Sequence, residues 1–204
     1  MKLPAPPRQP LDAAQRELLL EIVAELRGMI EASVSLNGER QQLKELAESL
    51  CERRLHMAQL ADNRGLESYH PRPELLNDFL PTSPVTGRFN PLAPPLQVKQ
   101  VGERILGEAV LGNAYEGPPG CVHGAIVAAL YDQLLAIANV RCGAAGPTAQ
   151  LNVSYHRPTP LHQLLEFSAW VEEQEGRKIT LKGECHVAGE RVTSCEALFI
   201  RFDG

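Results

Sequence analysis

Residues 121–142 read CVHGAIVAALYDQLLAIANVRC, directly after the glycine- and proline-rich turn EGPPG (116–120). Apolar side chains occur almost all the way round this stretch, which predicts a helix packed among other elements rather than an amphipathic surface helix. A membrane-spanning helix is the rival interpretation, but Asp132 near the centre would cost about 2.5–3.5 kcal/mol on insertion scales. Strand patterns on both sides also favour a buried helix in a folded domain.

These strand patterns predict the rest of the fold. Residues 148–155 alternate, with Leu151, Val153 and Tyr155 on one face and polar residues on the other. Other strand-like segments are 96–98, 104–110, 165–171, 179–187 and 192–202, joined by short glycine turns. Alternation with short turns indicates an antiparallel meander with one buried face. No strand–helix–strand repeat occurs, which disfavours a doubly wound sheet. We predict an α+β fold, an antiparallel sheet wrapped around a long central helix.

An N-terminal extension precedes this domain. Apolar residues recur at helical spacing in two segments: Leu19, Ile22, Val23, Leu26, Met29 and Ile30, then Leu43, Leu46, Ala47, Leu50, Met57 and Ala61. With Asn37-Gly38 as the break, the pattern predicts a helical hairpin over residues 11–62. Two helices cannot bury both stripes alone, so we expect them to dock on the domain or on another chain. We favour the interpretation that these helices simply cover part of the surface over the alternative that they form a lid or an oligomerisation arm.

Composition and proline content divide the chain and limit its partners. The 204 residues are 44% hydrophobic and carry a net charge of −5, which argues against disorder and against general nucleic-acid binding. Proline clusters predict extended segments, giving a helical extension (1–70), a proline-rich linker (71–95) and the main domain (96–204). The first ten residues lack the apolar run of a secretory signal, and five cysteines without a CxxC motif fit a reduced cytoplasm.

Two positions in the central helix carry candidate chemistry. A carboxylate such as Asp132 in so apolar a helix is costly unless it is paired or functional, so it is a candidate general base or nucleophile. His123-Gly124 begins the helix, where the first N–H groups lack helical partners and can hold a developing oxyanion. The lone Cys121-Val-His123 pair has no matching second pair, so we predict no metal site and no cofactor.

The spacing of these two positions predicts a site shared between chains. Gly124 and Asp132 lie about 12 Å apart along a helix and about 80° apart around it. The amide of one and the carboxylate of the other therefore cannot both reach one carbonyl group from a single chain. If both act on it, the site lies at a two-fold interface, and the protein is at least a dimer.

The stretches YEGPPGCVHGAIVAALYDQ (115–133), PTAQLNVSYHRPTPL (147–161) and GRKITLKGECHVAGERVTSCEALF (176–199) resemble one known family. It is that of the hotdog-fold acyl-CoA thioesterases, specifically the phenylacetate-pathway (PaaI-like) type and its animal relatives. The resemblance covers about half of the chain and implies a cytoplasmic thioester hydrolase whose partner is an acyl-CoA substrate, with no nucleic acid and no membrane. It also implies that the protein is a homodimer or a dimer of dimers. The family often has a second glycine and a second acidic residue where this chain has Ala125 and Gln133.

The resemblance also implies roles for individual residues. Asp132 activates water or attacks the thioester, the Gly124 amide polarises its carbonyl, and Thr148 helps to place the water or the carboxylate. His123 matches a histidine that structures the start of the helix. The implied contacts to coenzyme A are Ser154, His156, Arg157, Arg177 and Lys178. The alternative function is a non-catalytic hotdog protein that binds acyl-CoA or another ligand and uses its helical arm to contact a partner.

Overall fold

The computed structural model describes residues 12–61, 76–78, 80–144 and 146–202. The helices are α1 (Ala13–Ser33), α2 (Arg40–Leu60) and α3 (Gly124–Arg141). The strands are β1 (Gln97–Val101), β2 (Arg104–Val110), β3 (Thr148–Tyr155), β4 (Leu164–Glu175), β5 (Lys178–Val187) and β6 (Glu190–Ile200). Short 3-10 turns cover Leu76–Asp78 and Asn113–Tyr115.

The six strands form one antiparallel sheet in the order β1-β2-β4-β5-β6-β3. Neighbouring strands pair in a meander, except that β3 crosses to the far edge and pairs with β6. Helix α3 packs on one face of the sheet, and its side chains Leu130, Leu134 and Ile137 are fully buried there. This α+β arrangement confirms the predicted hotdog fold with an N-terminal helical extension.

The sheet covers only one side of α3. Nine residues of the helix are buried, including Tyr131 and Gln133 on either side of Asp132. Asp132 itself is exposed in the single chain, so the prediction that its carboxylate is buried is wrong for one chain alone. The reason is that the sheet packs on one side of α3 only, and the hydrophobicity of the helix on both sides does not show which side the sheet covers. No helix in the described part of the chain is long and apolar enough to cross a membrane.

A β-bulge lies near the start of β3. Thr148 pairs with Phe199 and Gln150 pairs with Leu198, so that Ala149 has no partner in β6. Side chains alternate strictly along a regular strand, which would place Thr148 on the same face as Gln150. The extra residue shifts this alternation by one position and turns Thr148 towards α3.

The two N-terminal helices differ in their contacts, and the predicted ends of their hairpin, residues 11 and 62, lie outside the described residues. Helix α1 docks on the domain through buried Val23 and through the Arg27 guanidinium, which donates to the carbonyls of Gly87 and Asn90 at 3.3 and 3.0 Å. Helix α2 has no buried residue. Its apolar stripe is therefore uncovered in the single chain.

The proline-rich segment is folded where the structure describes it. Residues 80–95 form consecutive turns, in which the Gly87 N–H donates to the Ser83 carbonyl at 3.0 Å and the Phe89 N–H to the Pro81 carbonyl at 3.0 Å. The sequence predicts an extended linker here because proline fixes φ and removes a donor. Proline is also common in turns, and buried Pro81 and Ala93 hold these turns against the domain.

Candidate active site

His123 closes the beginning of α3 as its N-cap. Its ring Nδ1 accepts the N–H of Ala125 at 3.0 Å, and its carbonyl accepts the N–H groups of Ile126 and Val127 at 2.9 and 3.4 Å. The first four N–H groups of a helix, here those of residues 123–126, have no i→i−4 partner. His123 accepts two of them, from Ala125 and Ile126, and its own N–H donates to the Tyr115 carbonyl at 2.9 Å. This geometry agrees with the structural role that the family resemblance implies for His123.

The remaining N–H group at this end belongs to Gly124. It has no hydrogen-bond partner among the described residues. A free N–H at the positive end of a helix is a donor for an anionic or polarised oxygen. The Gly124 N–H is such a donor at the start of α3.

Asp132 lies two turns further along the same helix, beside the first residue of β3. The Thr148 hydroxyl donates to Oδ1 of Asp132 at 2.8 Å. A carboxylate accepts through both oxygens, so this bond fixes one oxygen and leaves Oδ2 available. Thr148 reaches the carboxylate because of the bulge at Ala149.

The opposite end of β3 meets the start of α3. The Tyr155 hydroxyl donates to the carbonyl of Gly124 at 2.8 Å. Asp132 and Thr148 thus lie near one end of β3, and Gly124 and Tyr155 lie near its other end. Gly124 and Asp132 are separated by about 12 Å along the axis of α3. The structure does not bring the Asp132 carboxylate and the Gly124 amide together within one chain. Sequence analysis assigned no role to Tyr155, although it lies in one of the stretches that carry the family resemblance, 147–161.

The five candidate contacts to coenzyme A divide between the two ends of the sheet. His156 and Arg157 follow β3, where His156 contacts the Ser194 hydroxyl at 2.8 Å and Arg157 forms an ion pair with Glu190. Ser154 precedes them on β3, in register with Ser194. Lys178 is in register with Ile200, and Arg177 donates to the Arg201 carbonyl at 3.3 Å, both near the end where β3 begins. One chain does not assemble all five.

The side chain next to Asp132 anchors the turns of residues 80–95 to the helix. Gln133 is buried, and its Oε1 accepts a hydrogen bond from the Ser83 hydroxyl at 3.3 Å. An amide can be satisfied by this single neutral partner, whereas a buried carboxylate would need charge-assisted donors. Among the described residues, no group of three or more His, Cys, Asp or Glu side chains is arranged to hold a metal ion.

Known proteins resemble this chain along almost its whole length. A sequence model of the thioesterase superfamily matches residues 119–194. The crystal structure of a thioesterase superfamily protein is 32% identical with a TM-score of 0.81, and the match covers 95% of this chain and 97% of that protein. The chain belongs to the thioesterase superfamily. Because this structural match includes nearly all of both chains, the N-terminal helices are shared by another member of the superfamily.

Curated relatives of this thioesterase superfamily member match slightly less than half of its length. The acyl-coenzyme A thioesterase THEM4 of Bos taurus is 33% identical over 94 residues, which are 45% of this chain and 38% of that protein. The THEM4 protein of Xenopus laevis is 33% identical over 92 residues, 44% of this chain and 41% of that protein. The match therefore spans about two fifths of the length of these relatives.

Proposed function

We propose that the protein hydrolyses the thioester bond of an acyl-coenzyme A, releasing a free acid and coenzyme A. The observation that carries the proposal is that α3 holds two functional groups about two turns apart. One is the free N–H of Gly124, and the other is the Asp132 carboxylate held by Thr148. The names of the curated relatives, acyl-coenzyme A thioesterases, support this choice of substrate.

The reaction needs a donor for the carbonyl oxygen and a base or nucleophile on the carbonyl carbon. The Gly124 N–H polarises the carbonyl and stabilises the oxyanion. Asp132 takes a proton from water as the water oxygen attacks the carbon, or attacks the carbon itself through the free Oδ2. The C–S bond then breaks, and the sulfur of coenzyme A leaves as a thiolate that takes up a proton. If Asp132 itself attacks, the product of this step is a mixed anhydride on Asp132, which water hydrolyses to release the free acid and restore the carboxylate.

A second copy of the chain completes this arrangement. Strand β3 is an edge strand, so one side of it is unpaired within the chain. Antiparallel pairing of β3 with the β3 of a second copy sets the beginning of one strand beside the end of the other. Asp132 and Thr148 then face Gly124 of the partner subunit. The same two-fold axis also joins the two separated groups of candidate coenzyme A contacts. One site then contains Arg177 and Lys178 of one chain and Arg157 of the other.

The direct test is hydrolysis of a panel of acyl-CoA substrates by the wild-type protein and by Asp132→Asn. The amide preserves shape but is neither a base nor a nucleophile, so we expect at least about a hundredfold loss of kcat without loss of folding. Glu196→Gln, an exposed carboxylate on β6, is the matched control and should keep full activity. Loss of the thioester absorbance is the preferred signal, since thiol reagents would also label the exposed Cys51 and Cys142.

Two outcomes would contradict the proposal. Folded Asp132→Asn with wild-type turnover would remove the aspartate from the chemistry. A wild-type protein that binds acyl-CoA tightly but releases no coenzyme A would instead favour the non-catalytic binding protein.

A further inference from the structure

Tyr155 contacts the one residue at the start of α3 whose N–H is free. Its hydroxyl donates to the Gly124 carbonyl at 2.8 Å. Its ring is close to the backbone of Gly124. A Cβ added at position 124 would lie 3.2 Å from the Tyr155 hydroxyl oxygen and 3.3 Å from two of its ring carbons. The absence of a side chain at Gly124 is therefore what allows the tyrosine to approach the backbone.

The two peptides that flank the Gly124 Cα are held by different residues. The peptide that carries the Gly124 N–H is held through the His123 carbonyl, which accepts the N–H groups of Ile126 and Val127. Tyr155 holds the next peptide through the Gly124 carbonyl. Glycine is the most flexible residue in a helix, and the first turn of a helix is where the backbone frays most readily. The N–H of Gly124 is unpaired, whereas its neighbours Ala125 and Ile126 are held by His123. A mobile amide would lose the preorganised geometry on which oxyanion stabilisation depends.

We propose that Tyr155 is a positioning residue: it holds Gly124 at its Cα and carbonyl, restricts rotation of the backbone at this glycine, and so helps to aim the Gly124 N–H at the thioester carbonyl, an inference that rests on the proposed hydrolase function. A purely structural role is the competing explanation. Within the single chain Tyr155 is 53% exposed and contributes little to the hydrophobic core, so the competing structural role would be at the interface with a second copy. Burial of its hydroxyl region raises the pKa of Tyr155, so the phenol stays protonated and remains a donor.

The test compares two variants that each remove one tyrosine hydroxyl. Tyr155→Phe keeps the ring and loses the bond to Gly124. Tyr131→Phe is the matched control, since it loses the buried bond to the Thr193 hydroxyl at 2.8 Å on the side of α3 that faces the sheet. We expect Tyr155→Phe to lower kcat about 5- to 20-fold with KM changed less than about twofold. Tyr131→Phe should lower the midpoint of thermal unfolding yet keep kcat within about twofold of wild type.

A second measurement reports on the Gly124 amide without reference to turnover. In the ¹⁵N-labelled protein, the heteronuclear NOE of Gly124 should fall in Tyr155→Phe and stay unchanged in Tyr131→Phe. Unchanged kcat together with an unchanged NOE in Tyr155→Phe would overturn the proposal, as would a rise in KM alone. If the wild-type protein hydrolyses no acyl-CoA, the proposed function fails, and the NOE alone then decides whether Tyr155 fixes Gly124.

Discussion

At the scale of single residues, Thr148 decides how Asp132 presents its carboxylate. The hydroxyl holds Oδ1 at 2.8 Å and leaves the second oxygen for water or substrate. Thr148→Ala removes the only side-chain donor that the described residues offer to this carboxylate, so we expect kcat to fall about tenfold or more. Thr148→Ser keeps the hydroxyl and should retain most of the activity. Equal kcat values for the alanine and serine variants, at equal thermal stability, would contradict this role.

The cysteines separate into two groups by burial. Cys185 and Cys195 are buried, and burial raises the pKa of each thiol to about 12. The thiolate is the reactive form, so these two should resist a maleimide at pH 8 until the protein unfolds. Cys51 and Cys142 are exposed and should be labelled in the native state. Mass spectrometry of the labelled peptides checks this, and rapid native labelling of Cys185 would show that the sheet opens readily.

At the scale of elements, periodicity predicts most of what the structure shows. The apolar stripes predict α1 and α2, and strict alternation with glycine turns predicts the strands of the meander, because both patterns depend only on neighbouring residues. The bulge at Ala149 escapes prediction, since no local pattern marks it and it depends on pairing with β6. The turns of residues 80–95 also escape prediction, because their position depends on contacts to the distant residues Arg27 and Gln133.

The candidate site follows a similar division. The apolar helix with one aspartate and the His-Gly start could be identified from the sequence, and so could the spacing that separates Asp132 from Gly124. The sequence did not indicate that Asp132 is exposed, because hydrophobicity around a helix does not tell which side a sheet covers. Nor did it show that His123 leaves a single N–H unpaired, since that result depends on the rotamer of its ring.

Hydrogen bonds between the Glu31 carboxylate and two backbone N–H groups help to hold helix α1 on the domain. Glu31 accepts the N–H groups of Asn113 and Ala114 at 2.7 and 2.9 Å, and a Cβ at Gly112 would lie only 2.4 Å from one of its oxygens. Charge-assisted bonds of this kind are stronger than neutral ones, so Glu31→Ala should lower the free energy of unfolding by about 1–3 kcal/mol. Denaturant unfolding of the full chain measures the loss.

Glu25→Ala is the matched control for Glu31, because Glu25 is exposed on the same helix. We expect its effect to stay within about 0.5 kcal/mol. Equal stability of the two variants would show that the Glu31 carboxylate does not contribute to holding α1 on the domain.

At the scale of the whole molecule, a site shared between two chains can be tested by complementation. Asp132→Asn and Gly124→Val should each be inactive, the second because its side chain meets Tyr155. In randomly mixed dimers of the two variants, about a quarter of all sites combine an intact Asp132 with an intact Gly124 of the partner subunit. Co-refolding them should therefore restore up to about a quarter of wild-type activity, whereas a site within one chain would restore none.

The apolar stripe of α2 also concerns the molecule as a whole, because it bears on how copies of the chain assemble. It comprises exposed apolar side chains at helical spacing: Leu43, Leu46, Leu50, Met57 and Leu60. Exposed apolar stripes of this size promote association, so we expect Leu46→Glu with Leu50→Glu to lower the mass of the assembly in light scattering. Hydrolysis should persist, because α2 contributes no residue to the candidate site. Glu48→Gln, elsewhere on α2, is the control and should leave the mass unchanged.

The bulge in β3 also determines where the chain tolerates a change of length. Deleting Ala149 would leave Thr148 opposite Phe199 and every pair from Gln150 to Tyr155 in register, because the lost residue has no partner. Deleting a residue further along, such as Asn152, would instead turn the first half of the strand over and carry Thr148 away from Asp132. In an alignment of related sequences, a single gap is therefore harmless at position 149, and elsewhere in β3 it would signal a changed site.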